Sequence, residues 1–235
     1  HWGNVEATKA MLEKIARREG IGNLLAEGVK RASEEVGGEA PKMAIYTLKG
    51  STPRGHDHRG RWGEFLDTCV SATGTIQSGA YLFPLNRFGM PPVTNPFSPW
   101  EVAASNAKFD GWFTFLDNIG ICRFTATNPK LSVDCVNAVT GKELTVSEAI
   151  TIGRRTINVL RVFNFRHGLD PALEAPSFRY GSTPIDGPAE GKPIGQFFPW
   201  MKSLYYELVG WDPKTGKPLP HTLKSLGLEK LIPDL

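Results

Sequence analysis

One helical segment constrains the fold more than anything else in the chain. Thr145-Val146-Ser147-Glu148 forms a capping box, in which a hydroxyl and a carboxylate each satisfy a free backbone N–H at a helix start. The segment it opens runs to about Phe165. It carries Ile150, Ile152, Ile157, Val159, Leu160, Val162 and Phe163 on most of its sides. A helix apolar nearly all round is expected to be buried and central. The rest of the chain must then supply further helices to surround it.

Those helices are legible in the pattern. Residues 4 to 19 read as a helix capped by Asn4, with Met11, Leu12 and Ile15 inward and Gly20 following. A second helix reads from Asn23 to Val36, so the two form a helical hairpin. Residues 43 to 49 alternate weakly and read as extended. Residues 62 to 73 read as helix. Pro84, Pro91, Pro92, Pro96 and Pro99 impose a long ordered loop. Trp100 to Asn118 reads as one helix with Pro99 in its first turn. Leu131 to Val139, Phe197 to Val209 and Thr222 to Leu231 complete the helices, and residues 168 to 195 read as irregular. The class is mainly α, with long irregular loops.

Composition narrows the function classes. The 235 residues are 40% hydrophobic, enough for one large domain or two smaller ones. A net charge of +3, with no run of basic residues, gives no reason to expect nucleic acid or an anionic membrane as partner. No apolar run approaches the roughly 18 residues of a membrane span, and no signal peptide is expected. The start at His1-Trp2 leads to the expectation that the chain is a piece of a longer polypeptide. Cys69, Cys122 and Cys135 are three cysteines without a CxxC pair. That argues against a disulfide framework and fits a reducing cytoplasm. It also argues against a self-sufficient zinc or iron–sulfur site, which takes three or four protein ligands.

Several clusters can carry chemistry. Asp117-Asn118-Ile119-Gly120-Ile121-Cys122 joins a carboxylate, a turn glycine and a lone thiol. It suits a cofactor loop, and it equally suits a helix end with a buried cysteine. The stretch Arg54 to Arg61, with His56 and His58, reads as an anion, cofactor or metal site or as a solvated loop with Asp57 paired to an arginine. Arg154, Arg155, Arg161 and Arg166 lie on the central helix, and buried charges there call for structural ion pairs or a ligand. Ser71-Ala72-Thr73-Gly74-Thr75 is small and hydroxyl-rich, able to approach a cofactor. Neither a nucleophile elbow nor a P-loop is present.

Taken in order, several segments resemble the C-terminal half of the aldehyde ferredoxin oxidoreductase family of tungsten enzymes. They are Gly3 to Ala7, Arg18 to Lys30, Lys49-Gly50 with Pro53-Arg54-Gly55, Asp117 to Cys122, Gly153 to Arg166, Tyr205-Tyr206 and Gly210-Trp211-Asp212. The resemblance implies the multi-helical C-terminal domains of that family. Residues 1–48 would end the middle helical domain and 49–235 would form the C-terminal one. It implies tungsten held by two pterins of the molybdopterin type, plus a 4Fe–4S cluster. Three cluster cysteines belong to a CxxCxxxC motif that this chain lacks, and Cys122 matches the fourth. Asp117 would accept hydrogen bonds from a pterin amine ring. Gly120 and Ile121 would lie against the pterin, with Ile121 in place of the usual Leu.

The resemblance further implies an oxidoreductase of aldehydes or related carbonyl compounds. Ferredoxin or another electron-transfer subunit would be its partner, a small molecule its substrate, and a homodimer is compatible with it. Two departures stand out. Thr52 precedes Pro53-Arg54-Gly55 where the family often has Asp. Gln77 takes the position of a histidine thought to assist proton transfer near tungsten. Glutamine cannot titrate, so it orients rather than relays a proton. That opens the tungsten subunit of class II benzoyl-CoA reductase, an aromatic-ring reductase of the same family, as the alternative. A non-catalytic helical binding module is the alternative from another class. The isolated chain is expected to be inactive and free of cofactor.

Overall fold

The computed structural model describes residues 2–74, 77–79, 85–125 and 128–235. Among them are eleven α-helices and almost no extended structure. The first four are α1 (Val5–Arg17), α2 (Ile21–Leu25), α3 (Gly28–Val36) and α4 (Ala40–Met43). Asn4 caps α1 by accepting from the N–H of Ala7 at 2.9 Å. The helix ends on Arg18 in the left-handed region rather than on Gly20. The second predicted helix is split before Gly28, a poor residue for a helix interior.

Val5, Leu12, Val29 and Val36 remain exposed on these first helices. They hold to the following chain through few polar contacts, such as Lys30 Nζ on the carbonyl of Leu48 at 2.7 Å. Of the stretch predicted to be extended, Met43 ends α4 and Thr47 makes a single antiparallel bridge to Pro176. The stretch pairs with the segment after Glu174 through Leu48 N–H on Ala175 O and Ser177 N–H on Tyr46 O, both 2.8 Å.

Two aromatic cores organise the remainder. One lies between α5 (Trp62–Val70), α6 (Pro99–Phe109) and α10 (Ile194–Leu208), around Trp62, Phe65, Phe198, Met201, Tyr205 and Trp211. The other lies between α7 (Trp112–Asn118), α8 (Pro129–Thr140) and α9 (Val146–Arg166), around Phe109, Trp112, Phe113, Leu116, Val133 and Ile150. The short α11 (Pro220–Ser225) closes the chain with a final 3₁₀ turn.

The segment predicted as a single helix over 100–118 is broken at Asp110-Gly111. Gly111 takes φ +107, and a Cβ there would lie 2.3 Å from the carbonyl oxygen of Ile150. Gly153 meets it from the other side, where a Cβ would lie 1.8 Å from Gly111 O. Two glycines let α7 cross α9 backbone to backbone, and the helix must bend to do so.

The capping box forms as read: Thr145 Oγ1 accepts from Glu148 N–H, and Glu148 accepts from Thr145 N–H. The helix α9 is not buried on all sides. Ile157, Arg161 and Val162 are buried, while Val159 and Phe163 are exposed. Its apolar residues therefore serve both cores, Ile157 the first and Ile150 the second, and also leave an open apolar face.

Candidate functional site

The loop after α7 begins from a buried anchor. Trp112 to Leu116 are all buried, which fixes where α7 ends. The chain then turns out. Gly120 takes φ +71, its N–H reaches Asp117 O at 3.1 Å, and Ile121 N–H returns to Leu116 O at 3.0 Å. This left-handed closure turns Cys122 out to the surface and leaves Ile121 packed against the second core. Cys122 is a free, exposed thiol, not the small buried hydrophobe that a lone cysteine usually is. Asp117 is half exposed and is held by Arg123, whose Nε donates to Oδ1 at 3.0 Å and whose terminal nitrogen meets Oδ2. Arg123 in turn lies over the ring of Phe113, 4.8 Å from its centroid.

Gln77 is elsewhere in character. It is buried, and all its polar atoms are engaged. Its Oε1 accepts from Ala72 N–H at 2.9 Å, and its Nε2 donates to Asp110 Oδ1 at 3.2 Å and to the Tyr205 hydroxyl at 3.3 Å. Its backbone N–H, with those of Ser78 and Gly79, donates to the carboxylate of Asp67 at 3.0, 2.9 and 3.2 Å. Burial pushes the Asp67 carboxyl up to about 6 against those three donors. Burial likewise pushes Asp110 up to about 7. Both carboxyls therefore hold protons far more readily than an exposed aspartate. Ser78 Oγ is buried without a hydrogen-bond partner among the described residues.

The ring of Phe113 is approached both by the segment carrying Gln77 and by the Asp117–Cys122 loop. A Cβ on Gly79 would lie 2.3 Å from the ring of Phe113, so the strand of chain carrying Gln77 rests on Phe113. Arg123 covers the same ring. Gly79, two residues after Gln77, and Arg123, one residue after Cys122, thus meet at the same ring.

Sequence reasoning missed Phe113, Arg123, Asp67, Asp110 and Tyr205. The available signal was an acid inside an apolar run: Leu66-Asp67-Thr68 and Phe109-Asp110-Gly111. Thr75, the last of the hydroxyl-rich stretch, lies outside the described residues.

The arginines resolve into structure. Arg54 pairs with Glu64 at 2.7 Å, and Arg59 pairs with Asp57. His58 is buried between the Tyr180 hydroxyl at 2.7 Å and Glu64 at 3.0 Å, while His56 is exposed. Burial raises the Glu64 carboxyl, but His58, Arg54 and Arg61 outweigh it and hold the group below its ordinary value. Arg161 is fully buried and forks onto Glu174 at 2.6 and 2.8 Å, with its Nε on Gly216 O at 3.0 Å. Trp211 lies against it, 4.4 Å from ring centroid to guanidinium.

Among the described residues no group of three or more His, Cys, Asp and Glu side chains is placed to hold a metal ion. Cys122 offers one accessible soft donor of the three or four that an iron–sulfur site takes. The exposed Asp117 fits an acceptor for a flat amine-bearing ligand, since its present partner is a surface arginine.

The sequence profile described as aldehyde ferredoxin oxidoreductase, domains 2 and 3, matches residues 1–228. This chain belongs to the aldehyde ferredoxin oxidoreductase family. The tungsten-containing aldehyde ferredoxin oxidoreductase of Pyrococcus furiosus is 31% identical over 236 residues, covering 97% of this chain and 37% of that protein. The aliphatic sulfonate oxidoreductase, WOR-like subunit, of the same organism is 28% identical over 245 residues, covering 97% of this chain and 35% of that protein. The chain thus spans somewhat more than a third of the length of these relatives. Among solved structures, the active site complex BamBC of benzoyl coenzyme A reductase, in complex with 1,5-dienoyl-CoA, superposes with a TM-score of 0.68 at 19% identity. The match covers 94% of this chain and 38% of that one. The mainly α fold is therefore that of the family's second and third domains. No helix among the described residues is long and apolar enough to cross a membrane.

Proposed function

We propose that this chain supplies domains 2 and 3 of a tungstopterin, iron–sulfur oxidoreductase acting on aldehydes or related carbonyl compounds, with ferredoxin-type electron transfer. The boundary near residue 48 is proposed as the domain division. The carrying observation is the Asp117–Cys122 turn, a surface thiol and a surface carboxylate projected from the buried end of α7. Cys122 would be one cluster ligand, with the others supplied by the family's remaining domain, on this or another polypeptide. Asp117 would exchange Arg123 for a pterin amine ring, and the backbone of Gly120 and Ile121 would lie against that ring.

When bound, the metal–pterin group supplies two-electron chemistry and the cluster an exit for single electrons. This chain's own part is to position those groups side by side and to exclude water with the α7 core. Gln77 would orient a group near the reacting centre without titrating.

Metal analysis of the holoenzyme tests this reading. Tungsten or molybdenum together with iron is expected; absence of all three would leave a non-catalytic helical module as the better account. A second reading, reduction of an aromatic ring carried as a coenzyme A thioester, is favoured by one observation. By the family resemblance, Gln77 would stand where the aldehyde oxidisers have a titrating histidine. Gln77→His in the holoenzyme should then raise aldehyde turnover, and an unchanged rate would remove Gln77 as the reason for preferring that second reading.

A further inference from the structure

The buried cluster around Gln77 gathers groups from several parts of the chain. Asp67 comes from α5, Gln77 from the segment after it, Asp110 from the break between α6 and α7, and Tyr205 from α10. Asp110 forms no ion pair among the described residues. The nearest cation, Arg154 on α9, spends its guanidinium on the carbonyls of Asp110, Ala107 and Lys108 at 2.9, 3.1 and 3.0 Å. It therefore caps the end of α6 rather than neutralising the carboxylate.

Gln77 is fixed from three sides, by Ala72, Asp110 and Tyr205. An ionised Asp110 accepts from the Gln77 amide at 3.2 Å and has a second donor beside it in the Tyr205 hydroxyl, which accepts from the same Nε2 at 3.3 Å and helps to hold the carboxylate charged. A neutral Asp110 has gained an O–H donor and lost acceptor capacity, so it cannot serve both donors as before.

We propose that Asp110, braced by Tyr205, is the positioning residue for the Gln77 amide and the site where this buried cluster takes up and releases a proton. The proposal rests on Gln77 lying near the reacting centre, as argued above. One proton from solvent adds to the Asp110 carboxylate; the Tyr205 hydroxyl turns to accept from the new O–H, and the Gln77 Nε2–H bond to Asp110 weakens. No other bond forms or breaks. The titratable group absent at residue 77 is thereby supplied one hydrogen bond behind it.

The surroundings agree with a proton exchanged near neutrality. Burial and the like charge of Asp67 favour the neutral acid, while Gln77, Arg154 and Tyr205 favour the anion.

The side-chain amide of Gln77 reports on this directly, in the ¹⁵N-labelled protein, assigned by its loss in Gln77→Glu. Its shift is expected to titrate with a midpoint near pH 7, to become flat in Asp110→Asn, and to move to higher pH in Tyr205→Phe. A flat response from about pH 5 to pH 9, or a midpoint unchanged in both Asp110→Asn and Tyr205→Phe, overturns the proposal. If Asp110→Asn does not fold, the wild-type and Tyr205→Phe titrations still decide. The readout needs neither substrate nor cofactor, so its failure is distinct from absence of metal in the holoenzyme.

Discussion

Two arginine–carboxylate pairs in this molecule share chemistry and differ in everything else. Arg161 and Glu174 are both fully buried, bidentate, and joined by Lys49 at 3.4 Å and the Tyr206 hydroxyl. Arg123 and Asp117 make a similar fork at the surface, where their side chains retain 24% and 47% exposure. Burial raises the Glu174 carboxyl, but Arg161, Lys49 and Tyr206 outweigh it and keep the group ionised. That pair cannot be opened without stranding a charge in the core. The surface pair can open at little cost, because water replaces either partner. The same fork is a fastener in one place and an exchangeable contact in the other, and only the second is suited to meet a ligand.

The comparison breaks most visibly at Arg161. Arg161→Met leaves Glu174 buried and short of its main partner, and is expected to cost about 3–5 kcal/mol of stability in urea unfolding. A loss below about 1 kcal/mol would show that the buried pair is no fastener.

The next effect is a pH dependence at Asp110. Its folded pKa of about 7 exceeds the unfolded value of about 4. The folded state therefore binds more protons, and this group's contribution to stability falls as pH rises from about 4 to about 7. Asp110→Asn should remove that fall, gaining on the order of 3–4 kcal/mol relative to wild type across the window. Unfolding curves whose difference stays constant with pH would contradict it. Asp117→Asn is expected to change stability by less than about 1 kcal/mol; a larger loss would make the surface fork structural after all.

Much of the scaffold was legible in the chain. The capping box at Thr145 and the Asn4 cap are local hydrogen-bond patterns, so a few residues suffice to specify them. The helix read over 100–118 failed at Gly111 because its break is caused by Gly153, a tertiary approach that no local period records. The open apolar face of α9 was unreadable for a related reason: hydrophobicity does not say which residues this chain covers.

In the site, the Asp117–Cys122 turn stood out from residue types alone. Its partner Arg123 and the plate of Phe113 did not, since both roles arise from packing. Asp67, Gln77, Asp110 and Tyr205 meet only when α5, the α6–α7 break and α10 pack together.

Cys122 carries the central claim. Cys122→Ser should leave folding within about 0.5 kcal/mol of wild type, because the side chain is exposed. In the holoenzyme, the same substitution is predicted to lower the iron content and to abolish or alter the reduced-cluster signal in electron paramagnetic resonance. Full iron content with an unchanged signal would contradict the assignment of this turn as the cofactor-facing edge of the chain.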